Sequence, residues 1–379
     1  MRQRTKAVVA ATTMLSVGAA AVAAGRYASD AALKPRPDRP LPHDPPLTVH
    51  STDAGRITLT RSLASLRPGT YGLAGAGCHA VVGPVVEDAP HPADCVVRRL
   101  ERVTHGTLAP GTRVRFTPQV YIGNPQDALG LDHADVDVPG ELGALPAWFV
   151  PGDRLSWVIT VHGLGTTREH PMALMPFLHR RRFPVLDITY RGDPGAPRPE
   201  DGIGHLGDTE WRDLDAAIRY AVRYGAERII LYGWSIGATM ALRVAVNSAL
   251  RDRIGGLVLD SPVLDRHATL RALASARRIP SALLPLAIRA AEGRAGPYDG
   301  QPGTGAAVTD DLDRLKVPTL VMHGPDDTIA PWSASRELAR RHSELVTLHP
   351  VRRAPHAAMW NADPAGYEEM LGRFLMPLM

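Results

Sequence analysis

From about residue 147 onward, continuous apolar runs of strand length alternate with longer segments in which apolar residues recur every three or four positions. The runs are Ala147–Val150, Trp157–Val161, Val185–Tyr190, Arg228–Tyr232, Gly256–Asp260, Thr319–His323 and Leu345–His349. Strands buried on both faces lack polar alternation, and strands separated by helices pair in parallel. The pattern predicts an α/β domain over 147–379 with a mostly parallel, doubly wound sheet. One helix is explicit: Asp208 stands as its N-cap, and Trp211, Leu214, Ile218 and Val222 follow at helical spacing. Residues 50–146 differ. Their short runs (Ile57–Thr60, Val96–Val103, Val114–Phe116, Val120–Ile122) are punctuated by Pro and Gly. That predicts a small β-rich unit without a helix.

Ahead of both lies an N-terminus with the pattern of export. Arg2, Arg4 and Lys6 precede an uncharged, Ala-rich stretch over 7–24. Residues 1–24 read as a cleaved signal peptide or a retained membrane anchor; a cytoplasmic Ala-rich helix is the alternative. Residues 25–49, with six prolines between 34 and 46, read as an extended linker. The expected location is secreted, or anchored at the outer face of the cytoplasmic membrane. Only two cysteines occur, Cys78 and Cys95. In an exported chain they form one disulfide or remain two thiols. His79 and His91 sit near them, but the spacing matches no standard zinc set, and no metal is expected.

Composition narrows the function. Of 379 residues, 44% are hydrophobic and 22% charged, which excludes wholesale disorder and a multi-span membrane protein. The net charge of +4 falls to +1 without the three basic residues at the start, and the remaining arginines are scattered. Nucleic acid, which needs a clustered basic face, is not an expected partner. Gly202, Gly204 and Gly207 fit G-x-G-x-x-G, with Glu227 further on, but a Pro-rich loop rather than a strand leads into them. A dinucleotide site needs the strand. The lysines are Lys6, Lys34 and Lys316, none in a phosphate loop.

Stronger chemistry lies at Gly233-Trp234-Ser235-Ile236-Gly237, which follows the strand R-I-I-L-Y and precedes a helical segment. A nucleophile elbow needs that strand-to-helix turn, with Gly233 and Gly237 giving room around a strained Ser235. A serine hydroxyl needs a base to take its proton. Asp327 follows the strand T-L-V-M-H, and His356 follows L-V-T-L-H. Asp326 and Asp260 are rival acids, and His349 a rival base. His162-Gly163-Leu164-Gly165 follows an earlier strand; the N–H groups of Leu164 and Ile236 are candidates for an oxyanion hole.

Over about residues 145–379, the motifs H-G-L-G, G-W-S-I-G, H-G-P-D-D-T-I-A-P and A-P-H, in that order, resemble the α/β-hydrolase superfamily. The run Y-R-G-D-P-G and the short acid loop look like its serine aminopeptidase and prolyl-oligopeptidase-like branch. The resemblance implies Ser235 as nucleophile, His356 as base, Asp327 as its orienter, and an oxyanion hole at Leu164 and Ile236. Ala238 stands where many relatives carry glycine. The implied activity is that of a serine hydrolase without cofactor, acting on a small acyl ester, with a peptide as the alternative substrate. A non-catalytic envelope scaffold is the reading from another class. Residues 262–312 are a candidate lid, with an apolar run over Ile279–Ile288; an ordinary crossover helix packed on the sheet is the favoured alternative.

Overall fold

The computed structural model describes residues 44–283 and 314–379, together with Ala23, Gly25, Tyr27, Leu33, Pro285, Leu286 and Leu312. The export segment, most of the linker and much of the candidate lid lie outside the described residues. Among the described residues no helix is long and apolar enough to cross a membrane.

The first unit is a closed barrel of β1 (Leu47–Asp53), β2 (Arg56–Thr60), β3 (Tyr71–Gly75), β4 (Cys78–Val85), β5 (Cys95–His105) and β6 (Arg113–Thr117), in the order β1-β2-β5-β4-β3-β6. Alternate residues such as Val49, Ile57, Leu59, Leu73, Ala80 and Val82 turn inward and form its core. Closure leaves no edge strand open.

The second unit is an eight-stranded sheet. It contains β7 (Ala134–Pro139), β8 (Ala144–Val150), β9 (Ser156–Val161), β10 (Val185–Ile188), β11 (Arg228–Trp234), β12 (Ile254–Asp260), β13 (Thr319–His323) and β14 (Val346–Pro350), in the order β14-β13-β12-β11-β9-β10-β8-β7. The strands from β9 onward pair in parallel; β8 and β7 are antiparallel. Ile159, Ile229, Leu231 and Leu257 face one core, while Val158, Ile230, Tyr232 and Val258 face another. That split explains the unbroken apolar runs. Helices α3 (Trp211–Arg223), α4 (Ile236–Asn247), α5 (Arg266–Ala276) and α6 (Trp332–Arg341) cover the first face. Helices α2 (Met175–Arg180) and α8 (Pro364–Leu375) cover the second. The chain steps from β9 outward to β10, then returns to lay β11 on the other side of β9. The crevice at the C-terminal ends of β9 and β11 is the topological switch point, where open α/β sheets gather ligands.

Several expectations change. The large sheet begins at Ala134, inside the segment assigned to the small unit, because β7 pairs with β8. Val120–Ile122 is not a strand; Val120 packs on Val81 and Ala173 instead. A short helix, α1 (Pro125–Leu129), occurs where none was expected, capped by Asn124 and closed by Gly130 at φ +68°. Glu210, not Asp208, precedes α3; Asp208 pairs with Arg243 and Arg266. The disulfide does not form, and both cysteines are free. Cys78 lies at the His105 end of the β4–β5 ladder and Cys95 at the far end of β5. At about 3.3 Å of rise per residue, that separation far exceeds the about 4.4–6.8 Å between the Cα atoms of a disulfide. His79 bonds Thr104 and Gln119.

Candidate active site

The site grows out of a turn with almost no free space. Ser235, between β11 and α4, is held at φ +55°, a conformation that costs an L-residue about 1–3 kcal/mol and persists only if its surroundings enforce it. They do. A Cβ on Gly233 would stand 2.3 Å from the Gly237 carbonyl, and one on Gly237 would stand 2.3 Å from the Val161 oxygen. The Ser235 N–H donates to the Asp260 carbonyl at 2.8 Å. Glycine at 233 and 237 is therefore a steric requirement.

Ser235 Oγ lies 2.7 Å from His356 Nε2, and His356 Nδ1 lies 2.7 Å from Asp327 Oδ2. The three side chains come from loops after β11, β13 and β14, and all are withdrawn from solvent. The network assigns the proton on Nδ1, leaving Nε2 to accept from the serine hydroxyl. The Asp327 Oδ1 atom accepts the N–H groups of Ile329 and Ala330 at 2.8 and 2.9 Å. Burial alone would raise its pKa. The His356 charge and the hydrogen bonds from His323 and His356 outweigh burial and hold the carboxyl well below its ordinary range.

His323, inside the same H-G-P-D-D segment, was not singled out from sequence. Its Nε2 lies 3.0 Å from Asp327 Oδ2 and its Nδ1 lies 2.7 Å from Ser335 Oγ. Asp327 thus takes a histidine from each side. The rivals are engaged elsewhere. Asp326 accepts the Arg353 N–H at 2.7 Å. Asp260 accepts from Ser261 Oγ at 2.8 Å and Tyr367 OH at 3.1 Å, and Tyr367 in turn bonds Tyr232. Burial pushes the Asp260 carboxyl up to about 7 against those two bonds and the nearby His356 charge. His349 lies on β14 away from Ser235, and its pKa is lowered by burial.

On the opposite wall, the Gly163 carbonyl lies 2.9 Å from His162 Nδ1 and accepts from Thr166 Oγ1 at 3.0 Å and Tyr190 OH at 3.2 Å. Carbonyl and N–H of one peptide unit point in opposite directions. Pinning this carbonyl therefore aims the Leu164 N–H the other way. Ile236 opens α4, so its N–H is one of the groups a helix leaves unbonded. A Cβ on Gly163 would stand 2.9 Å from Ser235 Cβ, so glycine lets this wall close on Ser235. His162 Nε2 meets Asp193 at 2.8 Å. Burial would lower the His162 pKa, but the Asp193 charge and hydrogen bond raise it overall. The G-x-G-x-x-G turn carries no phosphate cradle: the His205 and Gly207 N–H groups are taken by Glu210.

Residues 156–291 match a family model described as the alpha/beta hydrolase fold, and residues 48–117 match one described as a domain of unknown function. The AB hydrolase superfamily protein YisY of Bacillus subtilis is 27% identical over 238 residues, covering 54% of this chain and 85% of YisY. The uncharacterized protein YfhR of Escherichia coli is 25% identical over 207 residues, covering 51% of this chain and only 62% of YfhR. The Pyrococcus furiosus esterase Pf2001 superposes with a TM-score of 0.55 at 24% identity, covering 68% of this chain and 94% of that one. That likeness is one of fold.

Proposed function

Because the chain carries an α/β-hydrolase domain, we propose that it is a serine hydrolase cleaving a carboxylic ester, or a thioester or amide, through an acyl-enzyme on Ser235. The observation that carries this reading is the relay of two 2.7 Å contacts from Ser235 through His356 to Asp327. His356 Nε2 takes the hydroxyl proton as Oγ attacks the carbonyl carbon. The tetrahedral oxyanion is met by the N–H groups of Leu164 and Ile236, each such donor being worth about 10²–10³ in rate. His356 then passes its proton to the leaving oxygen. Water repeats the sequence in reverse and frees the acid. Every step is a proton transfer or acyl transfer that these side chains complete without a cofactor.

The fold shared with an esterase supports the ester over the peptide. The basic, then uncharged N-terminus supports a place outside the cytoplasmic membrane. The test is a hydrolysis screen setting p-nitrophenyl esters of rising chain length against aminoacyl and prolyl anilides, with Ser235→Ala in parallel. Ester turnover is expected to exceed anilide turnover and to fall by about 10⁶ in the variant. Turnover that survives Ser235→Ala would contradict the mechanism; a preference for anilides would move the substrate to peptides.

A further inference from the structure

The barrel matches a domain of unknown function and is bolted to the loop that carries His356. Three observations converge there. First, Asn361, buried in α7 (Met359–Ala362), donates through Nδ2 to the Thr70 carbonyl at 2.9 Å and the Pro118 carbonyl at 3.0 Å. Its own carbonyl accepts the Thr70 N–H at 2.8 Å. Second, Ala358 packs within the barrel's own apolar core, two residues from the base. Third, Arg353 Nη2 donates to the Leu66 carbonyl at 3.2 Å.

The barrel surface they touch, residues 62–70, is itself braced. Arg98 on β5 is fully buried and faces no carboxylate among the described residues. Its guanidinium donates to the carbonyls of Ser65 at 3.0 Å, Arg67 at 2.6 Å and Gly69 at 2.8 Å. Burial lowers its pKa to about 10, so it remains charged at neutral pH. Gly69 sits at φ +82°, and a Cβ there would stand 2.0 Å from the Asn361 oxygen. The fit between barrel and base loop thus has no slack.

The base loop needs such support. Arg353 and Ala357 both adopt positive φ, +59° and +54°, on either side of His356. Such strain persists only where neighbours over-determine it. One side is held by the Ala357 N–H donating to Ser261 Oγ at 3.0 Å. The barrel adds to that side through Ala358 and Asn361, and on the other side Arg353 is held by its N–H to Asp326 and its Nη2 to the barrel's Leu66 carbonyl. The barrel's exit segment also reaches the opposite wall: Gln119 Nε2 donates to Thr167 Oγ1 at 3.1 Å and Glu169 Oε2 at 3.0 Å.

We propose that the barrel is a positioning element of the active site: the Arg98-braced loop 62–70 seats Asn361 and thereby fixes His356 against Ser235. This rests on the reading of Ser235 and His356 as nucleophile and base. Asn361, Gly69 and Arg98 are positioning residues that touch no reacting atom.

The test uses the intact protein, Asn361→Ala, Gly69→Ala and their double variant. It measures kcat and KM on a p-nitrophenyl ester, the rate of Ser235 labelling by a fluorophosphonate, and folding by circular dichroism. Displacing a catalytic group by about 1 Å costs up to about 10²-fold, so each single variant should lose about ten- to a hundredfold in kcat and labelling, with KM within about threefold. The double variant should lose less than the product of the two single losses, because both act on one seat, Asn361→Ala by removing its Nδ2 bonds and Gly69→Ala by pressing on its backbone oxygen. Arg98→Lys, which replaces a planar fork reaching the carbonyls from two nitrogens with a single ammonium, should lose several-fold and decides the matter if either variant fails to fold. Folded variants that label at the wild-type rate, or defects that multiply in the double variant, would overturn the seat. An unlabelled wild type would instead remove the serine-hydrolase reading, and the seat with it.

Discussion

Ser235 is fixed by its immediate neighbours. The glycines at 233 and 237 lie two residues away, and the strand and helix it joins enforce its strained φ. His356 meets it at 2.7 Å but is held from afar: by Asp327 on the β13 loop, Ser261 beyond β12, and the barrel through Asn361 and Ala358. One half of the site is written into five consecutive residues. The other half is assembled from segments nearly three hundred positions apart in the chain, as the 291-residue separation of Thr70 and Asn361 shows. Ser235 comes with the sheet; the place of His356 depends on how other parts dock.

Breaking the remote side at its acid should have the largest effect. Asp327→Asn is expected to lower kcat by about 10⁴ because the carboxylate that orients and compensates His356 is lost. Asp326→Asn should leave kcat within about twofold, since the amide oxygen can still accept the Arg353 N–H and the side chain does not touch His356. Steady-state kinetics on one ester separates the two, and equal losses would reopen the choice of acid. The local side breaks at Gly237. In Gly237→Ala the added methyl meets the Val161 carbonyl, and kcat should fall by about 10² through displacement of Ser235.

Smaller effects sharpen the contrast. His323→Asn removes one hydrogen bond to the Asp327 carboxylate, worth about tenfold in kcat/KM. Because that bond helps hold the carboxyl down, the Asp327 pKa rises in the variant. The variant should therefore be less stable than the wild type near neutral pH, with the gap closing as pH falls below the ordinary carboxylate range; a gap that ignores pH would reduce His323 to packing. Asp260→Asn should also change turnover little, within about threefold, since the side chain touches neither Ser235 Oγ nor the His356 ring. Its signature is in stability. Asp260 titrates near 7 in the folded protein against about 3.9 when unfolded, so the native state holds the extra proton between those values. Its contribution therefore falls as pH rises from about 4 to about 7 and is flat above. Denaturation midpoints measured at about pH 5 and about pH 8 should show the variant gaining on the wild type at the higher pH.

This contrast also explains what could be read from the sequence. The parallel sheet was legible because strands buried on both faces carry unbroken apolar runs, and the Ser235 turn because its requirements are contiguous. Chain order brought in Asp327 and His356. Arg98, Asn361 and His323 were illegible as partners: a buried arginine capped by carbonyls looks like any other scattered arginine, and nothing near Asn361 in the sequence points to the barrel. Tyr71–Gly75 is a strand that was not among the runs named from the sequence, its apolar residues being interrupted by glycine. Val120–Ile122 carries an apolar run that serves a contact with Val81 and Ala173 rather than a ladder. Cysteine spacing suggested a bridge, but strand pairing set the two thiols at opposite ends of a ladder. In each case a long-range contact decided what a short window could not contain.

The most direct measurement of the central claim is mass-spectrometric peptide mapping after treating the folded protein with a fluorophosphonate, beside His356→Ala. The account predicts a single adduct, on Ser235, that forms at least about a hundredfold more slowly when the imidazole is absent. A folded protein that takes up no adduct, carries it on another residue, or labels Ser235 equally fast without His356 would contradict it.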